Sequence, residues 1–181
     1  MTFFDMKDLE TKRLILRKIT KRDAHDMYEY SKNPLTSRYL TWSAHESLTY
    51  TKKYINFLIK KYKAGEYFDW AIEEKESGKF IGTCGFPVFD TENSKAEIGY
   101  VLNPSFWGRG YATEVVKAVV DYSFSALKLH RLEARCMKEN TASENVLKKC
   151  GFTLEGVFED ELFIKDEYRT ISHFAQLNTN K

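Results

Sequence analysis

The stretch that most constrains this chain is Ala96 to Lys117, AEIGYVLNPSFWGRGYATEVVK. It reads as a strand, a short loop holding Gly108 and Gly110, and a helix with Ala112, Val115, Val116, Val119 and Val120 on one face. Glycines at a helix entrance leave main-chain N–H groups bare where the helix dipole adds partial positive charge. That pattern holds phosphate, although both glycines also suit a plain tight turn. Glu97 lies on the strand just upstream, placed either to act as a base beside such a site or to form a salt bridge on the strand surface.

Two phosphate-binding folds are excluded. A dinucleotide fold needs G-x-G-x-x-G after the first strand, whereas here the motif lies mid-chain and Thr113 stands in the third glycine position. A P-loop needs G-K-S/T, and the chain has no such triplet. With 181 residues, 43% hydrophobic and 30% charged, residues 1–181 suit a single domain with a sizeable core. The net charge of +2 gives no ground for a nucleic-acid partner, and no apolar run is long enough for a bilayer. The opening MTFFDMKDLETKR lacks the apolar centre of a signal peptide. Cys84, Cys136 and Cys150 form an odd set without paired spacing, which fits a reduced, cytoplasmic setting. His25, His45, His130 and His173 are scattered, so no metal site is expected.

Hydrophobic periodicity and turn residues predict the element order. A first strand covers Leu14–Leu16, and Thr20 caps a helix over Asp23–Ser31. A polar and aromatic loop spans Asn33–Trp42, and Ser43 with Glu46 has capping-box spacing at the start of a helix that ends near Gly65. Strands follow at Tyr67–Glu74 and Phe80–Phe89 around the turn Glu76–Lys79, and then at Lys95–Leu102. After the glycine loop and its helix come a strand at His130–Lys138, a short helix at Ala142–Lys149 ended by Gly151, and two strands over Leu154–Leu177. The fold class is α/β (α+β): a mixed, mostly antiparallel twisted sheet with helices on its faces.

Three blocks resemble the GNAT acetyltransferase superfamily, in the branch named for the ribosomal-protein acetyltransferases RimJ and RimL. They are Ala96–Glu114, Leu129–Gly156 and the opening Leu9–Ala24; the tail Phe163–Leu177 follows the same branch. The resemblance implies acetyl-CoA as co-substrate. The amides from Trp107, Gly108, Arg109, Gly110, Tyr111 and Ala112 would then bind the pyrophosphate, with a hydroxyl from Thr113. Ser105 replaces a Gln or Arg common in the family, so one side-chain contact is in doubt. Arg109 is either solvated or helps a phosphate electrostatically. Strand residues Ile98, Gly99, Tyr100 and Val101 would pair with the pantetheine arm by β-augmentation.

In the second block, Asn140 and Ser143 suit helix caps. The resemblance implies instead that Asn140 bonds the arm and that Ser143 faces the sulfur. Many relatives have a proton-donating tyrosine seven residues after that asparagine; here the position is Leu147, which cannot donate. Ser143 therefore becomes the candidate for stabilising or protonating the thiolate. Asn145 and Lys148 either reach the nucleotide or form a solvated helix face.

The chemistry implied is direct attack by a primary amine, with the Tyr100 N–H as oxyanion donor and Glu97 as leading base. Glu133, between Arg131 and Arg135, suits an ion-pair ladder, and Glu155, Glu159, Asp160 and Glu161 suit a solvated edge. Tyr39, Leu40, Trp42, Phe86, Phe89 and Tyr168 are either acceptor-pocket walls or core. The acceptor is a protein N-terminus or a small amine, and the protein a monomer or homodimer. A CoA-binding sensor module without catalysis is the alternative, favoured by Leu147 alone.

Overall fold

The computed structural model describes residues 7–65 and 68–179. In chain order the elements are β1 (Leu9–Glu10), β2 (Leu14–Lys18), α1 (Ala24–Ser31), α2 (Pro34–Ser37), α3 (Leu48–Ala64), β3 (Phe68–Glu74), β4 (Phe80–Asp90), β5 (Lys95–Leu102), α4 (Tyr111–Ser125), β6 (Arg131–Met137), α5 (Thr141–Lys149), β7 (Thr153–Ile164) and β8 (Glu167–Leu177). The strands form one eight-stranded sheet in the order β1-β2-β3-β4-β5-β6-β8-β7. Every neighbouring pair is antiparallel except β5 with β6.

Strand alternation divides the core between the two sheet faces. On β3, Trp70 and Ile72 join one apolar cluster and Ala71 the other; on β4, Ile81 and Phe80 divide the same way. The first face is covered by α4, whose Val115, Val116, Val119 and Val120 are all buried. Each such valine contributes about 1.5–3 kcal/mol of burial. The second face takes α1 and α3 through Met27, Tyr30, Ile55 and Leu58.

Three sequence expectations change in detail. The third helix begins at Leu48, capped by Ser47 Oγ accepting the Tyr50 N–H at 3.1 Å, rather than at a Ser43–Glu46 box. The reason is His45, whose N–H donates to the Ser31 carbonyl (2.9 Å) and whose Nδ1 lies 2.9 Å from Thr51 Oγ1, holding that segment outside the helix. The loop expected at Asn33–Trp42 contains the short α2, capped by the Asn33 side chain on the Leu35 N–H. The Tyr67 start of the third strand lies outside the described residues. Elsewhere the expected strands and helices stand within a residue or two of their places. Among the described residues no helix is long and apolar enough to cross a membrane, and no cluster suits a metal ion.

The parallel pair is short. β5 and β6 are paired only over Lys95–Glu97 and Arg131–Glu133, and then both continue unpaired with each other. A bulge in β4 sits opposite the point of separation: the register jumps from Gly85↔Gly99 to Val88↔Glu97, so that Phe86 and Pro87 together oppose Ile98. Proline cannot donate a ladder hydrogen bond, and a bulge sharpens local twist. The bulge therefore bends β5 away from β6 just past Glu97.

Candidate active site

Across the open wedge between β5 and β6, β5 is tied to the start of α5. The Tyr100 hydroxyl, from β5, lies 2.8 Å from Ser143 Oγ and 3.3 Å from the Ser143 carbonyl at the start of α5. Ser143 is itself fixed, because its N–H donates to Asn140 Oδ1 at 3.2 Å, making Asn140 the cap of α5. Burial raises the Tyr100 pKa well above the ordinary phenol value, so the phenol stays protonated and either hydroxyl can donate across the pair. Leu147 packs into the main core at 1% exposure, so position 147 presents no side chain to the wedge.

The glycine loop is open toward ligand and anchored from behind. Gly108 and Gly110 have φ of 74° and 78°, a left-handed backbone that favours glycine. A Cβ at Gly108 would meet nothing within 4 Å, and one at Gly110 only Arg13 Nη2 at 3.6 Å. No side chain caps α4, and the Glu114 N–H is the first of the helix to reach a carbonyl, that of Gly110 at 3.1 Å. The Tyr111, Ala112 and Thr113 N–H groups belong to the helix's first turn and have no intrahelical acceptor. Behind the loop, Arg13 Nη1 donates to the Arg109 carbonyl (2.9 Å) and Arg13 Nε to Glu114 Oε2 (2.7 Å). The Thr11 hydroxyl and Arg13 N–H donate to Glu114 Oε1 at 2.7 and 2.9 Å. The Tyr111 ring is buried under the Arg13 guanidinium, and its hydroxyl donates to Glu74 Oε1 at 2.5 Å. Trp107 anchors the approach by donating Nε1–H to the Leu102 carbonyl at 2.9 Å. Arg109 is exposed, its guanidinium 5.2 Å from the Phe106 ring centre. Open glycines, an uncapped helix start and a rigid backing fit a pyrophosphate.

Glu97 lines a cleft of about 450 Å³ together with Gly99, Tyr100 and Val101. It is also ion-paired: Oε2 accepts from Arg135 Nε at 3.0 Å and Nη2 at 2.9 Å. The two alternatives read from the sequence, cleft carboxylate and strand salt bridge, thus coexist. Oε1 has no hydrogen bond to another described residue. Glu133 pairs with Arg131 (2.7 Å) and Lys95 (3.6 Å), as the ladder reading expected. Glu155 and Glu161 are taken up by Arg131 and His173.

The acceptor walls are only partly those expected. Tyr39, Leu40 and Trp42 line the cleft, joined by Tyr30, His45, Tyr50, Tyr54 and Asp69, which sequence reasoning did not select. Phe86 is instead core at 1% exposure, packed edge-on against Trp70, and Phe89 packs on the same core. Tyr168 is 65% exposed against Phe163 at the β7–β8 hairpin and does not line the cleft. The corrections have separate causes: the β4 bulge turns Phe86 inward, and the hairpin carries Tyr168 beyond the cleft. His45 is ringed by Trp42, Tyr50 and Tyr54 at 4.9–5.5 Å, and burial lowers its pKa, so it is neutral at pH 7. Cys136 also lines the cleft, its thiol pushed up to about 11 by burial. Asn145 and Lys148 are exposed on α5, with Lys148 paired to Glu144 at 3.2 Å.

The model of the acetyltransferase (GNAT) domain family matches residues 13–153. An uncharacterized N-acetyltransferase of Bacillus licheniformis, p20, is 36% identical over 86% of this chain and 87% of its own. The spermidine N(1)-acetyltransferase of Escherichia coli K12 is 25% identical over 85% of this chain and 80% of its own. Among solved structures, a GNAT-family acetyltransferase from Bacillus anthracis superposes with a TM-score of 0.85 at 27% identity, covering 95% of this chain and 99% of the other.

Proposed function

The chain belongs to the acetyltransferase (GNAT) family and is an acetyl-CoA-dependent N-acetyltransferase; from that premise we propose which residues carry the transfer to a primary amine. One observation supports the assignment most. A single cleft is lined by a carboxylate, Glu97, and by Tyr100, whose hydroxyl meets Ser143 Oγ at 2.8 Å near the point where β5 parts from β6.

Acetyl-CoA supplies an activated acetyl thioester. The amides of Gly108 to Thr113 hold its pyrophosphate, the Trp107 N–H expected among them being already donated to the Pro104 carbonyl at 3.1 Å, and the main chain of Ile98–Val101, unpaired on the β6 side, takes the amides of its arm. The Asn140 side chain still has its NH₂ group to offer that arm, since only Oδ1 is used in the cap. Asn145 and Lys148 serve the nucleotide end.

An amine is mostly protonated at neutral pH, with a pKa of about 8 for an α-amine and above 10 for a lysine side chain. Glu97 draws the cation, and its Oε1 accepts the proton that must leave before attack. Arg135 fixes the other oxygen and so sets the direction of the carboxylate. At the other end, the Ser143 hydroxyl donates a hydrogen bond to the departing thiolate, directly or through water, while Tyr100 holds the serine in place; the proton the thiolate finally takes is the one the amine nitrogen sheds after attack. Tyr100 therefore acts on the reaction through Ser143. Free, buried Cys84, Cys136 and Cys150 support a reduced cytoplasmic setting.

The test is incubation with acetyl-CoA and a panel of primary amines, followed by thiol release and mass spectrometry of the amine. Stoichiometric thiol and acetylated amine are expected. Tight acetyl-CoA binding with no transfer to any amine contradicts the reading and favours a module that only senses CoA.

A further inference from the structure

Resting on the reading that the glycine loop holds the pyrophosphate, we infer that Arg13 is a positioning residue for coenzyme A. It turns the Arg109–Gly110 peptide so that the Gly110 N–H faces the phosphates.

That peptide plane has no preference of its own. Turning it over changes only ψ of Arg109 and φ of Gly110, and a glycine accepts φ of either sign at little cost. Gly110 stands at φ 78°. Its N–H reaches no acceptor among the described residues, and no side chain caps the helix start. The next plane along differs. The Gly110 carbonyl accepts the Glu114 N–H at 3.1 Å, which fixes the Tyr111 N–H in the same plane. Of the two planes that meet at Gly110, only the first needs a hold from outside the helix.

Arg13 supplies that hold. Its Nη1 donates to the Arg109 carbonyl at 2.9 Å. In a trans peptide the C=O and N–H point in opposite directions. A carbonyl held toward Arg13 therefore sends the Gly110 N–H to the open side. Turned over, the same plane would set a carbonyl oxygen against the phosphates.

The guanidinium is itself pinned. Nε and Nη2 both meet Glu114 Oε2 at 2.7 Å. Its centre lies 4.2 Å from the middle of the Tyr111 ring. That ring is tied down by Glu74, which accepts from the Tyr111 hydroxyl at 2.5 Å and from Ser77 Oγ at 2.6 Å. Every nitrogen of the fork is engaged, and Glu114 offsets its charge. Arg13 thus acts by direction rather than by attraction. A lysine keeps the charge but, as a single point donor, cannot hold Glu114 and the Arg109 carbonyl in this geometry.

The experiment titrates coenzyme A, and pantetheine, which lacks the pyrophosphate, into protein labelled at its glycine nitrogens and followed by NMR. Gly110→Ala assigns the Gly110 signal. In wild type, coenzyme A should move the Gly110 N–H downfield and bind at least about ten-fold tighter than pantetheine, which leaves that signal in place. In Arg13→Lys and Arg13→Gln the shift should vanish. Coenzyme A should then bind about ten-fold more weakly, the worth of one hydrogen bond to a charged group, with pantetheine binding unchanged. Rescue by lysine would make Arg13 an attracting charge and overturns the inference. Wild-type behaviour in both variants overturns it too, as do equal losses for the two ligands or failure of both variants to fold, which mark a tie of the fold alone. Each of these leaves the reading of the loop intact. No Gly110 shift in wild type, with equal affinity for the two ligands, overturns both.

Discussion

The Tyr100 phenol on β5 and the Ser143 hydroxyl on α5 meet at 2.8 Å across a gap where the two parallel strands no longer pair. The contact ties β5 to the start of α5, at the place proposed to receive the thiolate. Its chemistry is asymmetric. The phenol, its pKa raised by burial, stays protonated and fixes the serine by a hydrogen bond, leaving Ser143 as the group proposed to face the sulfur. Ser143→Ala should lower kcat by about 10²-fold, within the range of a lost proton donor. Tyr100→Phe should lower it by about ten-fold, the worth of one orienting hydrogen bond. The double variant should be no worse than Ser143→Ala, because Tyr100 acts through Ser143. Steady-state thiol release decides this; additive losses would separate the two residues.

Position 147 offers a complementary test. Leu147 is core, so Leu147→Tyr cannot restore a proton donor to the cleft. Introducing the larger side chain should cost about 1–3 kcal/mol of stability. It should recover none of the activity lost in Ser143→Ala. Thermal unfolding and kcat, measured on the same preparations, report the two effects separately.

Glu97→Gln keeps the shape of the cleft and removes the negative charge. Turnover should fall by about 10–100-fold, mostly as a loss in amine kcat/KM. Acetyl-CoA affinity should stay within about two-fold, since Glu97 lies away from the glycine loop. Full activity in this variant would pass the proton to water or to another group.

Glu114 links acid stability to the glycine loop. Burial raises its pKa, but Thr11, the Arg13 amide and the Arg13 guanidinium outweigh that, and the net pKa is lowered. A carboxylate lowered in the folded state adds stability that is full above its unfolded pKa and is lost as pH falls through its folded pKa. Denaturant midpoints should therefore decline on the acid side of about pH 4.3. Glu114→Gln should flatten that decline and weaken acetyl-CoA binding, because the anchor behind Arg109 is gone. An unchanged acid limb in Glu114→Gln would contradict the linkage.

Much of this was legible in the residues. The valine periodicity from Ala112 to Val120 gave α4, and the run AEIGYVL gave β5, because both patterns are set by burial on one face. Glu97 on β5 stood out as a carboxylate beside the glycine loop, whereas Asn140 and Ser143 at the start of α5 read only as caps until the family resemblance gave them a role. The displaced α3 start was not legible, because it depends on His45 reaching Ser31 and Thr51, tertiary contacts with no local signature. Phe86 could not be told from a pocket wall, since the β4 bulge decides which way it points. The Tyr100 hydroxyl was missed for a related reason: only the divergence of β5 from β6 brings it to Ser143, and divergence leaves no mark in either strand's own pattern.

The central claim is that the open amides behind Gly108 and Gly110 hold the phosphates of acetyl-CoA. Calorimetric titration of acetyl-CoA into wild type, Gly110→Asp and Gly110→Asn tests it most directly. Both substitutions accept a left-handed backbone comparatively well, and their Cβ meets only Arg13 Nη2 at 3.6 Å. Gly110→Asp places a carboxylate in the cradle and should weaken binding at least about ten-fold more than Gly110→Asn, by charge repulsion at short range. Equal, wild-type affinity in all three proteins would contradict the account.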